Sequence, residues 1–109
     1  MGKPRHRDIW WANLPSPAGR RPVLILTRDD AIAHLSNVTV APLTRTIRHI
    51  KSEVILSPEC GVPTLCAVSL DNILTMPRVT LDRRIVRLGD ETMKAVFEAI
   101  RYAFAMPDE

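Results

Sequence analysis

The apolar residues of this chain come in short runs, and turn-forming residues interrupt each run. Nine prolines are spread along the 109 residues, and every apolar run is far shorter than the roughly 18 residues that a membrane helix needs. Short runs rich in β-branched or large apolar side chains, bounded by Pro, Gly, Asn or Asp, are typical of β-strands. The sequence therefore predicts a β-rich fold in a single domain, 1–109.

Six segments fit this strand pattern: 8–14, 22–27, 38–43, 53–56, 67–72 and 84–87. Each is short, and a turn signal separates it from the next. This spacing is typical of a small barrel.

The C-terminal segment has the periodicity of a helix instead. We expect Asp90 to cap this helix, Gly89 to end the preceding strand and Pro107 to mark the stop. Residues 29–35 fit a second, short helix. The apolar face of the C-terminal helix is expected to pack on the barrel or across a dimer. Residues at three- and four-residue steps form that face: Met93, Val96, Phe97, Ile100 and Phe104.

The charges are unevenly distributed along the chain. The formal net charge is +3, but residues 1–87 contain thirteen Lys or Arg against seven Asp or Glu, and residues 88–109 contain two against five. Twelve of the fifteen basic residues are arginine, whose planar guanidinium binds a phosphate through two hydrogen bonds. A basic face of this kind attracts polyanions.

Cysteine and histidine give no sign of a metal or redox site. Cys60 and Cys66 are separated by five residues, which matches no common zinc or redox spacing. None of the three histidines has a ligand partner at a suitable spacing, so we expect no metal and no cofactor. The basic start of the chain lacks the apolar stretch of a secretory signal, and we expect a cytoplasmic protein with no membrane association.

Two predicted strand ends each present a polar side chain. Arg20 and Arg21 stand before Pro22, which biases Arg21 toward extended geometry and has no backbone N–H to donate. In "VAPLTRT", Pro42 interrupts the strand, and the hydroxyl of Thr44 comes just after its apolar residues. The ends of two predicted strands thus each present one polar group, Arg21 in one case and Thr44 in the other.

Acidic and basic residues further along the chain extend this set of candidates. Asp71 lies among apolar neighbours in "AVSLDNILT", where a carboxylate is costly unless it is paired or functional, and arginine is the partner we expect. Arg45, Arg48, His49 and Lys51 are interleaved with isoleucines. That composition is typical of a flexible basic loop over a polyanion.

Two adjacent tryptophans belong to the first predicted strand. Neighbouring residues of a strand face opposite sides, so at most one of Trp10 and Trp11 should lie in the core. The other is expected to face a partner or solvent, where its ring could stack on a base.

The chain resembles the MazF/PemK/Kid-type toxins, the ribonuclease half of type II toxin–antitoxin pairs. The resemblance implies a mainly β (α+β) fold, a small SH3-like or CcdB-like antiparallel barrel with a C-terminal α-helix and a short helical insert. It also implies a homodimer that binds a cognate MazE-like antitoxin and uses no cofactor. Five segments carry it, in order: "RDIWWANLP", "GRRPVLILT", "TVAPLTRT", "AVSLDNILTMPRVTLDRRIVRL" and "DETMKAVFEAIRYAF".

The resemblance further implies sequence-specific, metal-independent cleavage of single-stranded RNA, either mRNA or another class such as tRNA or rRNA. Attack by the 2′-hydroxyl would give a 2′,3′-cyclic phosphate and a 5′-hydroxyl. Catalytic roles are implied for Arg21 of "RPVL", Thr44 of "PLT" and Asp71 of "SLDNI". Contacts with RNA are expected from Arg20, Arg45, Arg48, His49, Lys51 and Asn72.

Two alternatives remain open at this point. A barrel of this kind could be a non-catalytic poison that, like CcdB, binds DNA gyrase through the end of its C-terminal helix, or it could bind RNA without cutting it. Neither alternative requires Arg21 and Thr44 to share a site. Discrete cuts in a long RNA incubated in EDTA would distinguish the nuclease from both.

Overall fold

A computed structural model describes residues 3–107. Within that range the chain forms seven strands, two helices and three short 3₁₀ turns. The strands are β1 (Asp8–Asn13), β2 (Arg20–Ile25), β3 (Asn37–Thr44), β4 (Glu53–Leu56), β5 (Cys66–Ser69), β6 (Leu74–Pro77) and β7 (Leu81–Arg87). The helices are α1 (Asp29–Ile32) and α2 (Asp90–Ala103), and the 3₁₀ turns span Pro58–Cys60, Leu70–Asn72 and Arg78–Thr80.

All strand pairs are antiparallel, in the order β4-β5-β3-β2-β1-β7, with β6 also paired to β3. The mainly β class, the C-terminal helix and the short helical insert are therefore confirmed. The sheet itself is open: over residues 3–107, no hydrogen-bonded ladder joins the end strands β4 and β7. No helix in this range is both long and apolar enough to cross a bilayer.

Several element boundaries differ from the sequence expectations. β6 was not expected, because a half-exposed strand of four residues ending at Pro77 has too little alternation to identify it. The segment 67–72 leaves the sheet after Ser69, and the strand expected at 84–87 begins at Leu81. Gly89, rather than Asp90, is the N-cap of α2. Asp90 is instead the first helical residue, and its carboxylate accepts a hydrogen bond from Arg7.

The central strands are buried on both faces. Ile9 and Leu24 belong to the cluster that also includes Met93 and Val96 of α2. Their strand neighbours Trp10 and Val23 belong to a second cluster, with Ile32 of α1 and Met76 of β6. Because side chains alternate along a strand, a strand buried on both faces needs a continuous apolar run, and "PVLIL" supplies one.

A buried carboxylate ties the start of β1 to the end of β7. Asp8 has no exposed surface, and its oxygens accept hydrogen bonds from the Arg87 guanidinium at 3.0 Å, the Trp10 indole at 3.2 Å and the Arg5 backbone at 2.9 Å. A buried charge is tolerated when it is paired and hydrogen-bonded in this way. Of the two adjacent tryptophans, Trp10 is the buried one: it is 4% exposed, and its indole donates to the buried Asp8 carboxylate.

Two prolines end the ladder between β2 and β3. The last register pair is Val23 opposite Pro42. Proline has no N–H to donate, so Pro22 and Pro42 cannot extend the ladder as donors. Beyond this point β3 pairs with β5 instead, Thr44 lying opposite Ala67. The ends of β2 and β3 therefore part, and their last residues line an open space.

Candidate active site

A concavity of about 420 Å³ opens where β2 and β3 part. Over residues 3–107 no aspartate, glutamate or histidine lines it, so its fixed charges are positive. Three connections meet there: the β1–β2 loop, the start of the β3–β4 loop and the segment before β5. Its polar and aromatic lining consists of Trp11, Arg20, Arg21, Thr44, Arg45, Thr46, Thr64 and Cys66.

Arg21 is held at the rim by the β1–β2 loop. Its Nε–H donates to the carbonyl of Ala18 at 3.1 Å, and the loop is closed by a hydrogen bond from the Leu14 N–H to the Gly19 carbonyl at 3.0 Å. Gly19 has a φ of 68°, a conformation that glycine adopts without strain. No carboxylate among the described residues pairs with Arg21, so no ion pair offsets its positive charge at the rim of the cavity.

Thr44 presents a hydroxyl whose orientation is constrained. Its Oγ1 accepts the backbone N–H of Thr46 at 3.1 Å, and a hydroxyl can accept two hydrogen bonds while donating one. Within residues 3–107 the O–H has no acceptor of its own, so it can donate to a ligand. Thr44 and Arg21 thus line one cavity, so the two residues for which the resemblance implies joint catalysis lie together.

Arg20 lines the same cavity but is held differently. Its Nε and Nη2 donate to Asp82 Oδ2 at 3.3 and 3.0 Å, and its guanidinium carbon lies 4.4 Å from the centre of the Trp11 ring. Trp11 is therefore the tryptophan outside the core, and one side of its ring is covered by Arg20. No sequence pattern indicated Asp82.

The structure separates the basic residues of the β3–β4 loop. Arg45 lines the cavity. The backbone N–H of Arg48 donates to Glu53 at 3.0 Å, which orients the loop toward β4. The Lys51 ammonium lies 5.8 Å from the Tyr102 ring of α2, a cation–π distance. Arg48, His49 and Lys51 are exposed but do not line the cavity.

Asp71 lies away from Arg21 and Thr44. It is exposed in the 3₁₀ turn that follows β5, whereas Thr44 pairs with Ala67 near the start of that strand. Its carboxylate accepts a hydrogen bond from the buried hydroxyl of Ser52. The prediction of an arginine partner for Asp71 is wrong: within residues 3–107 no arginine pairs with this carboxylate. Asn72, beside it, donates to Ser69 at 2.8 Å.

One cysteine also lines the cavity. Cys66 is buried against the core and lines the cavity wall. Burial, and secondarily the neighbouring Cys60, raises the pKa of the Cys66 thiol. Both cysteines are free. Sequence spacing gave no reason to place Cys66, Thr46 or Thr64 at a site, because only the tertiary pairing of β3 with β5 brings them there.

Comparisons with known proteins identify the family of the chain. The family model "PemK-like, MazF-like toxin of type II toxin-antitoxin system" matches residues 5–104. The Mycobacterium tuberculosis protein named "Probable endoribonuclease MazF5" is 40% identical over 101 residues, which cover 92% of each chain.

Solved structures give the same result for the fold. The Mycobacterium tuberculosis toxin MazF-mt6 is 42% identical, with a TM-score of 0.86 over 93% of this chain and 99% of the toxin. A mycobacterial endoribonuclease, solved in complex with its cognate antitoxin, is 24% identical and has a TM-score of 0.87 over 97% and 99% of the two chains. The chain thus belongs to the PemK-like, MazF-like toxins of type II toxin–antitoxin systems.

Proposed function

We propose that this chain is the toxin of a type II toxin–antitoxin system and a metal-independent endoribonuclease that cuts single-stranded RNA at specific sequences, with mRNA as the main substrate. The observation that carries the proposal is the shared cavity of Arg21 and Thr44, which is lined by arginines and no acid over residues 3–107. Such a cavity attracts a phosphodiester. The names of the relatives support the reaction class.

The proposed reaction needs charge stabilisation above all. The RNA 2′-oxygen bonds to the adjacent phosphorus, the bond to the 5′-oxygen breaks, and the proton lost by the 2′-hydroxyl is balanced by one gained at the 5′-oxygen. The products are a 2′,3′-cyclic phosphate and a 5′-hydroxyl. Negative charge grows on the non-bridging oxygens, where the Arg21 guanidinium and the Thr44 hydroxyl would donate hydrogen bonds.

Preorganisation explains why these two residues suit the task. Arg21 is fixed by the Ala18 carbonyl, and Thr44 by the Thr46 N–H. Donors that are already oriented need little rearrangement as the transition state forms, and losing one such donor typically costs about 3 kcal/mol.

The remaining predicted contacts are assigned to binding. Arg20 and Arg45 would hold the nucleotides at the cavity. The exposed residues Arg48, His49, Lys51 and Asn72 would contact RNA beyond it, where exposed cations supply a salt-dependent share of affinity. For Asp71, a carboxylate outside the cavity, we propose an RNA contact rather than proton transfer at Thr44.

The partners proposed are a second copy of this chain and an antitoxin. α2 packs through Met93 and Val96, but Phe97 and Phe104, on the same predicted face, are 46% and 55% exposed. Exposed aromatic side chains on one helix favour an interface. The related endoribonuclease solved with its cognate antitoxin supports the second partner, and an acidic, flexible segment would suit the basic cavity.

The decisive experiment incubates the purified chain with a long RNA in EDTA, followed by sequencing of the new 5′ ends and analysis of the 3′ termini. We expect discrete cuts that leave 5′-hydroxyl and 2′,3′-cyclic phosphate ends. Intact RNA would refute the nuclease and favour a poison of a protein target or an RNA-binding barrel. Cuts that leave 5′-phosphates would refute the proposed chemistry.

A further inference from the structure

Asp82 occupies an irregular position in the sheet. In the pairing of β1 with β7, Trp11 lies opposite Arg83, while the next residue, Ala12, lies opposite Leu81. Asp82 is therefore the extra residue of a β-bulge. Bulges bend a strand and redirect side chains, and they occur often beside functional sites. Here the redirected carboxylate meets Arg20.

The bulge brings a carboxylate to the Arg20 guanidinium. Asp82 Oδ2 accepts both the Nε–H and an Nη2–H of Arg20, and the guanidinium lies over the Trp11 ring. A guanidinium has five N–H donors, so three remain, and within residues 3–107 none of them is hydrogen-bonded. Arg20 and Trp11 thus form a stacked layer at the cavity wall, here called the Trp11–Arg20 layer, and Asp82 binds Arg20 without lining the cavity.

Adjacent arginines therefore differ in charge environment. Arg21 has only a neutral carbonyl as partner, whereas the charge of Arg20 is offset by the Asp82 carboxylate. A phosphate approaching Arg20 would meet that carboxylate as well, which weakens the attraction. A nucleobase has no net charge, and its flat ring can stack on the open face of an arginine plane. The layer suits a base better than a phosphate.

We propose that the Trp11–Arg20 layer is a nucleobase subsite that selects a base next to the scissile phosphate, with Asp82 as its positioning residue. The inference rests on the proposed function and divides the cavity into two parts. Arg21 and Thr44 bind the phosphodiester. Arg20, held on Trp11 by Asp82, stacks its other face on the neighbouring base.

The first test compares Asp82→Ala with Asp30→Ala. Asp30 is a matched control, because it forms an exposed ion pair with Arg28 at 2.9 Å and neither residue lines the cavity. We expect Asp82→Ala to broaden the set of sequences cut in a long RNA and to raise KM on a preferred site by about five- to tenfold. The change in kcat should be much smaller, and Asp30→Ala should match the parent chain.

The second test measures binding without cleavage. A pool of 2′-O-methyl heptanucleotides lacks the attacking hydroxyl, and its bases should quench tryptophan fluorescence by stacking near Trp11, since Trp10 is buried. We expect Trp11→Phe to lose most of the quenching, because it removes the reporting indole, and to raise KM less than Trp11→Leu does, because phenylalanine retains an aromatic platform. Trp11→Leu should raise KM as Asp82→Ala does.

The outcomes separate this inference from the function on which it rests. A cleavage spectrum and KM unchanged in Asp82→Ala, or the absence of quenching in the parent chain, would overturn the subsite while leaving the nuclease intact. Failure of the parent chain to cut RNA would overturn the proposed nuclease. The quenching measurement would then still decide whether bases stack on the layer.

Discussion

Arg21 and Thr44 lie at facing ends of two antiparallel strands. Val23 is opposite Pro42 in the ladder, and continuing that register by two residues would place Arg21 opposite Thr44. The ladder ends before reaching them because neither proline can donate to it. A guanidinium and a hydroxyl that would otherwise be neighbours in a sheet therefore line an open cavity.

Thr44 is expected to act through its hydroxyl alone. Thr44→Val removes the donor and keeps the shape of the side chain, so kcat should fall by about ten- to a hundredfold, which corresponds to a lost hydrogen bond to a charged group. Thr44→Ser retains the hydroxyl and should lose much less. Single-turnover cleavage of an RNA oligonucleotide measures both, and equal losses in the two variants would remove the hydroxyl from the mechanism.

Asp71 gives a contrasting prediction. Its carboxylate accepts a hydrogen bond from Ser52 and does not line the cavity. Asp71→Asn should therefore reduce the affinity for RNA more than the rate at which bound RNA is cleaved. The kcat should stay within about tenfold of the parent chain, because typical general acid–base contributions are about 10²- to 10⁴-fold. A larger loss of kcat would show that Asp71 does take part in proton transfer.

The sequence predicted the strands better than it predicted which residues line the cavity or hold its arginines. Pro22 and Pro42 each stand close to a polar side chain beside an apolar run, and the family resemblance singled out Arg21 and Thr44 before any register was known. Asp82 could not be, since its role depends on a bulge between β1 and β7, which are far apart in the chain. The position of Asp71 was predicted wrongly for a related reason. Its apolar neighbours suggested that the strand continues to residue 72, but the chain forms a 3₁₀ helix after Ser69.

Replacing Gly61 by a larger residue should destabilise the fold. Its φ is 100°, and an added Cβ would lie 2.8 Å from Val86 Cγ2. Gly61→Ala therefore combines backbone strain with a clash against β7, and we expect it to lower the free energy of unfolding by about 1–3 kcal/mol. Urea denaturation measures the loss.

Gly19→Ala is the control for that clash. Gly19 also has a positive φ, of 68°, but an added Cβ would meet nothing within 4 Å. Its substitution should cost about 1 kcal/mol from strain alone. If the two variants lose equal stability, contact with Val86 is not the cause.

The two thiols should react at different rates. Burial raises the pKa of the Cys66 thiol. At a given pH a smaller fraction of Cys66 is therefore thiolate than in a thiol of ordinary pKa, and the thiolate is the reactive form. With iodoacetamide at pH 8 we expect Cys60 to be alkylated before Cys66, and the Cys66 rate to keep rising as the pH is raised above 9. Mass spectrometry of timed samples tests the order, and faster modification of Cys66 would contradict its burial.

The central claim is that the Arg21 guanidinium stabilises the transition state of RNA cleavage. The most direct measurement is kcat for Arg21→Ala on an RNA oligonucleotide in EDTA, beside Arg28→Ala, an exposed arginine outside the cavity. We predict a loss of at least about a hundredfold for Arg21→Ala, an unchanged rate for Arg28→Ala and similar melting temperatures for both. Undiminished cleavage by folded Arg21→Ala would contradict the account.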